Sequence, residues 1–449
     1  MHFNTDKQKL EDLNMVGKPG RDSIYTIFSN IHTRGGAGIL EQMFLHPLAE
    51  ETLINNRSQT IQFLSRQHTA FPFSAAWLDS AELYLEMTDE RTRLSRNKDK
   101  LGGKIKQLLA EDHHYRIIHN GVGAFLRILH TLHGFLQHMA AEAGTTPWAA
   151  AIDELSELLA DSALQVFMEE KPESKLNYAD TAKYDDLLRF RNRNSLLRIL
   201  YHIYHLDVFI SVGRIANKHG FVFPEALNKD QHTVHLEGVY HPLVKNAVPN
   251  TLSITPNSNI IFLTGANMAG KSTFMKSLGI AMFLAHMGFP VPAKKMSFSV
   301  RDGIYTTINL SDNLASGSSH FYAEVLRVKK VAQELGNSKN LFIIFDELFR
   351  GTNVKDAYEA TIAITEAFAQ KKNCMFIVST HIVEAGDVLK ARCSNIHFAY
   401  LPTTMKEGRP VYTYTLADGV TADRHGMIII NNEGILDIIN NRFTKSAAS

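Results

Sequence analysis

Ile260-Ile261-Phe262-Leu263-Thr264-Gly265-Ala266-Asn267-Met268-Ala269-Gly270-Lys271-Ser272-Thr273 decides the reading of this chain. An apolar run with strand character ends at Thr264, a loop framed by Gly265 and Gly270 follows, and Phe274 to His286 then reads as a helix. Gly265 to Ser272 fits G-x-x-x-x-G-K-[ST] at every fixed position. The glycines let successive backbone N–H groups turn inward into an anion-binding concavity at a helix N-terminus. Lys271 adds a mobile point charge for β- and γ-phosphates, and the Ser272 hydroxyl is placed to ligate Mg²⁺. A chance Gly/Ser turn fits the same letters, but not the strand before and the helix after. The stretch predicts binding of a nucleoside triphosphate.

Downstream, Leu341-Phe342-Ile343-Ile344-Phe345 is apolar without alternation, as a strand buried on both faces of a parallel sheet requires, and it delivers Asp346-Glu347 at its end. In that position Asp346 would hold Mg²⁺ and Glu347 is the candidate general base. A second such run, Met375 to Ser379, ends in Thr380-His381, which brings His381 to the same sheet edge. Between these elements, Leu314-Ala315-Ser316-Gly317-Ser318-Ser319 precedes an apolar helix from Phe321 to Leu335. By itself this is an N-cap loop or a helix N-terminal anion site.

Composition sets the frame. The chain has 449 residues, 45% apolar and 21% charged, as in ordinary globular proteins. Lys+Arg (47) and Asp+Glu (46) nearly cancel, so no global field marks a nucleic-acid binder and any basic site is local. Two cysteines without metal-ligand spacing fit a reducing compartment. The N-terminus lacks a signal-peptide core, and Leu278 to Val291 is too short to span a bilayer; the expectation is a cytoplasmic protein with no membrane partner.

From about 23 to 222 the pattern is helical. Tyr115–Ala143 and Tyr184–His219 each run about thirty residues or more, enough for helices of roughly 45 Å. After Phe223-Pro224, short β-branched and aromatic runs alternate with helices: 233–236, 259–264, 305–309, 341–345, 375–379, 395–400 and 411–415. The expected organisation is a polar lead-in (1–22), an elongated all-α domain (23–222), an α/β P-loop NTPase domain (223–440) and a frayed tail (441–449). Two basic clusters stand out in the helical half. Arg189, Arg191, Arg193 and Arg198 form one; Arg91, Arg93, Arg96, Lys98, Lys100, Lys104 and Lys106 form the other. Each is either a solvated face or a phosphate-contacting surface.

These motifs together resemble the MutS family of DNA mismatch-repair ATPases. Thr264 to Thr273 is similar to that family's T-G-P-N-M-G-G-K-S-T, with Asn267-Met268 as the specific pair. Leu314 to Phe321 resembles L-A-S-G-R-S-T-F, and Asp346-Glu347 with Arg350-Gly351-Thr352 resembles D-E-I-G-R-G-T. Ser379-Thr380-His381 resembles A-T-H, and His241-Pro242 matches an R-H-P. Leu206-Asp207-Val208 is similar to the end of the lever helices, and Thr33, Gly36, Leu40, Pro47-Leu48, Ile54 and Arg57 to the start of the core domain.

The resemblance implies an ABC-type ATPase that homodimerises through its ATPase domains, with ATP and Mg²⁺ as cofactors. Gly265, Asn267, Met268, Ala269, Gly270, Lys271, Ser272 and Thr273 would hold nucleotide, Ser272 and Asp346 the metal, with Lys271, Glu347 and His381 catalytic. Ser319 would reach the partner's γ-phosphate in trans, and Arg350 would support the interface. Partners implied are DNA (duplex, mismatched or branched) and other repair proteins; an ATP-switched protein-interaction module of the same fold is the alternative. Departures are the missing mismatch-reading, connector and clamp segments, Ala266 and Ala269 in the loop, Ser318 and His320 for Arg and Thr, and Phe349 where a glycine is usual.

Overall fold

Leu341–Phe345 and Met375–Ser379 are strands over those same residues in the computed structural model of the chain. It describes residues 3, 6–17, 22–94, 105–144, 146–308, 320–349, 352–406, 409–421 and 433–439. The chain divides into two compact units: 1–26, 44–55 and 219–449 form one, and 27–43 with 56–218 the other.

The chain begins with α1 (Lys7–Asp12), α2 (Ile24–Phe28), α3 (Arg34–Leu45) and α4 (Glu51–Arg66). The helical unit continues with α5 (Ala75–Glu86), α6 (Ile105–Ala143), α7 (Ala149–Leu159), α8 (Ser162–Met168), α9 (Tyr178–Asp185) and α10 (Arg193–His219). Where one helix from Tyr184 was expected, a π-helical turn at Asp186–Arg191 separates α9 from α10. The helices α5, α6, α9 and α10 share a continuous core that includes Tyr84, Phe125, Leu129, Leu188 and Ile199. Gly121 explains how α5 and α6 approach so closely: a Cβ there would sit 2.2 Å from the Tyr84 side chain. Asp207 ties the start of α3 to α10, accepting from the Thr33 amide (2.9 Å) and hydroxyl (2.7 Å). Among the described residues one helix, Arg193–His219, is long and apolar enough to cross a membrane, and 67% of its apolar window is buried inside the fold.

The mixed unit carries β1 (Glu225–Leu227), β2 (Val234–Val239), β3 (Asn250–Ile254), β4 (Ile260–Gly265), α11 (Lys271–His286), β5 (Lys295–Ser299), β6 (Gly303–Thr307) and α12 (His320–Gly336). Then follow β7 (Leu341–Phe345), α13 (Val354–Ala369), β8 (Met375–Ser379), α14 (Glu384–Arg392), β9 (Ile396–Leu401), β10 (Thr403–Lys406), β11 (Arg409–Tyr412), β12 (Ala417–Asp418) and α15 (Ile435–Ile439). The main sheet has the order β12-β9-β4-β8-β7-β6 and is parallel except for β12. Every residue of β4, β7 and β8 is buried, as strands covered on both faces must be. Parallel pairing brings the ends of β4, β6, β7 and β8 to one edge. In a second sheet, β1-β5-β2-β3, the run 233–236 anticipated part of β2, whereas β1, β3 and β5 were not foreseen; β3 alternates buried and exposed along Asn250–Ile254 because one face is solvated.

The partition departs from the expected one at its N-terminal end. Residues 1–22, read as a polar lead-in, include a helix packed on β6, and Phe3, Leu13 and Met15 are buried. Residues 44–55 also join the mixed unit. Phe44 lies edge-on to Phe289 at 6.2 Å, the Leu48 amide donates to the His286 carbonyl at 2.8 Å, and Asn55 exchanges two hydrogen bonds with Ala226.

Lys9 is fully buried, with its ammonium 4.8 Å from the Phe3 ring centroid and 5.1 Å from that of Phe283. Burial pulls its pKa down to about 7, although Asp6 nearby acts the other way. Unfolding returns Lys9 to water, where it binds its proton up to its ordinary value of 10.5. Between these two values the unfolded state holds a proton that the fold does not, so stability contributed here rises with pH across that window. Calorimetry should show the mixed unit gaining stability from pH 7 to 10. Lys9→Met should flatten that rise and stabilise the unit at pH 7 by about 1–2 kcal/mol, the desolvation relief less the lost ring contacts. A variant that keeps the pH slope of the parent refutes this account.

Candidate functional site

The loop after β4 is bent by three residues in the left-handed region: Gly265 (φ 146), Met268 (φ 69) and Gly270 (φ 98). Gly270 caps α11, whose first residue is Lys271. The buried Lys271 Nζ donates to the carbonyls of Gly265 (2.8 Å) and Ala266 (3.2 Å), so the lysine braces the loop it follows. Burial lowers its pKa, opposed by the charges of Glu347 and Asp346. Asn267, Met268 and Thr273 are exposed, Ser272 is half-buried and Ala269 buried.

Asp346 and Glu347 follow β7 at the same edge. The Asp346 amide donates to the Thr307 carbonyl of the neighbouring β6 at 2.8 Å. Its carboxylate accepts from Ser379 Oγ at 2.6 Å, and the Ser272 hydroxyl lies close enough to favour its charged form. Burial raises the Asp346 pKa; the Ser272 and Ser379 hydroxyls and Lys271 act against the rise while Glu347 adds to it. Ser379 also accepts from the Glu347 amide at 2.9 Å, so one hydroxyl at the end of β8 fixes both acidic residues. Glu347 Oε1 lies 2.5 Å from His381 Nε2. The sequence-predicted Lys271, Ser272, Asp346, Glu347 and His381 thus form one connected constellation. Ser319 and Arg350 lie outside the described residues.

Glu347 (φ 53) and Phe349 (φ 62) both hold left-handed backbone, which costs a side-chain-bearing residue about 1–2 kcal/mol. At Phe349 this is the conformation a glycine adopts freely, and the buried ring, 6.0 Å from that of Phe321, offsets the strain.

A cavity of about 300 Å³ opens beside the loop, lined among others by His241, Val248, Asn250, Gly270, Phe274 and Tyr414. Tyr414 packs on the loop so closely that a Cβ at Gly270 would be 3.0 Å from its ring. Asn250 fixes the tyrosine's segment by donating to the Tyr414 carbonyl (2.9 Å) and accepting from the Leu416 amide (2.6 Å). Burial lowers the His241 pKa. Sequence spacing offered no signal for Val248, Asn250 or Tyr414, which belong to no motif. Among the described residues no three His, Cys, Asp or Glu side chains gather as an all-protein metal cage; an ion bridged by phosphates needs only one or two protein ligands.

The basic cluster on the helical unit has a different character. Arg189 is 2% exposed and grips Asp185 through Nε (2.8 Å) and Nη2 (2.7 Å). Arg191 and Arg93 both pair with Asp186, Arg198 with Glu154 at 2.5 Å, and Arg91 with Asp89 at 2.5 Å. Arg193 donates to the Leu85 carbonyl at 3.2 Å. Of the other basic stretch, Arg96, Lys98, Lys100 and Lys104 lie outside the described residues.

The family profile described as MutS domain V matches residues 261–447. The DNA mismatch repair protein MutS of Staphylococcus haemolyticus is 32% identical over 248 residues, 54% of this chain and 27% of that protein. That of Streptococcus thermophilus is 29% identical over 276 residues, 58% of this chain and 32% of the relative. That of Thermus thermophilus is 30% identical over 233 residues, 51% and 27% of the two chains. The matched stretches span about a third or less of the length of these curated relatives.

Proposed function

Since the chain is a MutS-family protein, we propose that it binds and hydrolyses ATP at the loop from Gly265 to Thr273 and couples that cycle to DNA. One observation carries the reading: Asp346, Glu347 and His381 meet at a single sheet edge, with Ser379 holding both acidic residues, whose charges act on Lys271 at the loop, beside Ser272. The loop amides of Asn267 to Gly270 and the Lys271 ammonium take the phosphates, with Ser272 and Thr273 following at the helix start. Ser272 and Asp346, close enough for the hydroxyl to favour the carboxylate, are the residues that would hold Mg²⁺. The ion, when bound, neutralises charge on the β- and γ-phosphates. Glu347 takes a proton from the attacking water as the new oxygen–phosphorus bond forms and the bridging bond to ADP breaks, and His381 orients its carboxylate. The cavity beside Gly270 accommodates the nucleoside against Tyr414. In a homodimer, Ser319 of a second copy completes each site, and the cycle opens and closes the helical levers on duplex, mismatched or branched DNA alongside other repair proteins.

A magnesium-dependent ATPase assay of the full chain, with and without a panel of DNA structures, tests this. Lys271→Ala removes a charged contact worth about 1.5–3 kcal/mol, so nucleotide affinity should fall about tenfold to a hundredfold in fluorescence titrations. Unchanged affinity removes the loop from the reading.

The carboxylate pairing of Arg91, Arg93, Arg189, Arg191 and Arg198 favours a second reading, an ATP-switched module that binds another protein rather than DNA. No DNA retention at low salt, with a nucleotide-dependent protein partner, selects it.

A further inference from the structure

We propose that Asp12, in the first helix of the chain, is a positioning residue for the Asp346 carboxylate of the nucleotide site; the inference rests on the function proposed above. The connection runs through the end of β6. Asp12 Oδ2 accepts from the Thr306 hydroxyl at 2.8 Å and from the Ile308 amide at 3.0 Å. Thr307, held between them, offers the carbonyl that receives the Asp346 amide at 2.8 Å. The Asp12 carboxylate is 2% exposed, and its other oxygen accepts from Gln8 Nε2 at 2.8 Å.

Two further contacts make this a brace rather than a single bond. Thr306 is gripped from its other side by Arg327 Nη2, which donates to its carbonyl at 2.8 Å, while Arg327 Nη1 donates to Asp6 Oδ2 at 2.6 Å. Burial acts to raise the Asp6 pKa, but the hydrogen bond and charge of Arg327, with the Lys9 amide and the Lys330 charge, together outweigh it and hold the carboxyl below its usual value. On the opposite side, Leu13 lies flush on α11: a Cβ at Gly279 would be 2.6 Å from its Cδ2. The N-terminal segment therefore touches both the helix that begins at Lys271 and the strand end that holds Asp346. Removing Asp12 frees the peptides on either side of Thr307, and the Asp346 amide loses a fixed acceptor. Nothing in the Lys271 loop itself is altered by that change.

The experiment is a magnesium titration of ATP hydrolysis on the full chain, paired with nucleotide binding measured in EDTA with a fluorescent ADP analogue. Asp12→Ala should raise the Mg²⁺ concentration for half-maximal rate about tenfold and lower kcat, with metal-free affinity kept within about twofold, in the range seen when outer partners of metal ligands are removed. Asp12→Asn should restore most of the loss, because an amide oxygen still accepts from Thr306 and Ile308. Thr306→Val, which deletes one donor, should give a smaller shift of the same sign and carries the test if Asp12→Ala does not fold. A folded Asp12→Ala or Thr306→Val chain with the parent's Mg²⁺ dependence overturns the inference, as does an equal loss of metal-free nucleotide affinity. A parent chain that hydrolyses no ATP overturns the proposed function, and this inference with it.

Discussion

Glu347→Gln should lower ATP turnover by about 10²–10⁴-fold, the span usual for removing a general base, while leaving nucleotide binding close to that of the parent. Gln has the shape of Glu and its amide oxygen can still accept from His381 Nε2, so the 2.5 Å contact has a successor. The backbone at 347 is left-handed, and its amide stays on Ser379 Oγ, so the turn that presents the side chain is unchanged. What Gln cannot do is take a proton. Single-turnover hydrolysis and equilibrium binding of a fluorescent ATP analogue separate the two effects. A Gln variant with turnover within about twofold of the parent would place the base elsewhere. A variant that also fails to bind nucleotide would point to a structural role for the Glu347–His381 pair.

The sheet edge proposed to carry this chemistry was legible in sequence because its strands are buried on both faces. Leu341–Phe345 and Met375–Ser379 contain no polar letter before the last position, and the residues that follow are delivered to the edge by parallel pairing. Most of the second sheet, apart from the run 233–236 in β2, was not legible for the opposite reason. Along Asn250–Ile254 and Lys295–Ser299 polar residues are interleaved with apolar ones, and such short alternations are indistinguishable from loop. The cavity beside the loop gathers Asn250, Gly270 and Tyr414, which no local spacing could connect.

The N-terminal segment shows a further limit. Asp6, Lys9 and Asp12 read as solvated polarity, yet each is drawn inward by a specific partner: Arg327, two aromatic rings, and the end of β6. Composition counts charges and is blind to their pairing. The arginines of the helical unit repeat that lesson, and the one with the greatest consequence is Arg189.

Arg189→Met should destabilise the helical unit by about 3–5 kcal/mol, the cost of leaving a buried charge without its partner. Asp185 is fully buried and would keep only the Tyr84 hydroxyl, 3.0 Å from its Oδ1. Arg189 also donates to the Met87 carbonyl (2.9 Å) and the Thr92 hydroxyl (2.7 Å), so the segment after α5 loses its anchor. Both tryptophans, Trp77 and Trp148, lie in this unit, so urea unfolding followed by tryptophan fluorescence reports on it selectively. Pairing the change with Asp185→Leu should recover part of the loss, since two apolar side chains replace a buried ion pair at little net cost, while the orphaned carbonyls keep the recovery incomplete. A phosphate-contacting arginine behaves otherwise: its removal reduces the salt dependence of DNA binding by about one counterion and leaves unfolding unchanged. If Arg189→Met unfolds at the parent's urea concentration and flattens the salt dependence, the arginine serves DNA. The expected outcome is a lower unfolding midpoint with an unaltered salt slope, because a guanidinium committed to Asp185 has no charge to offer a phosphate.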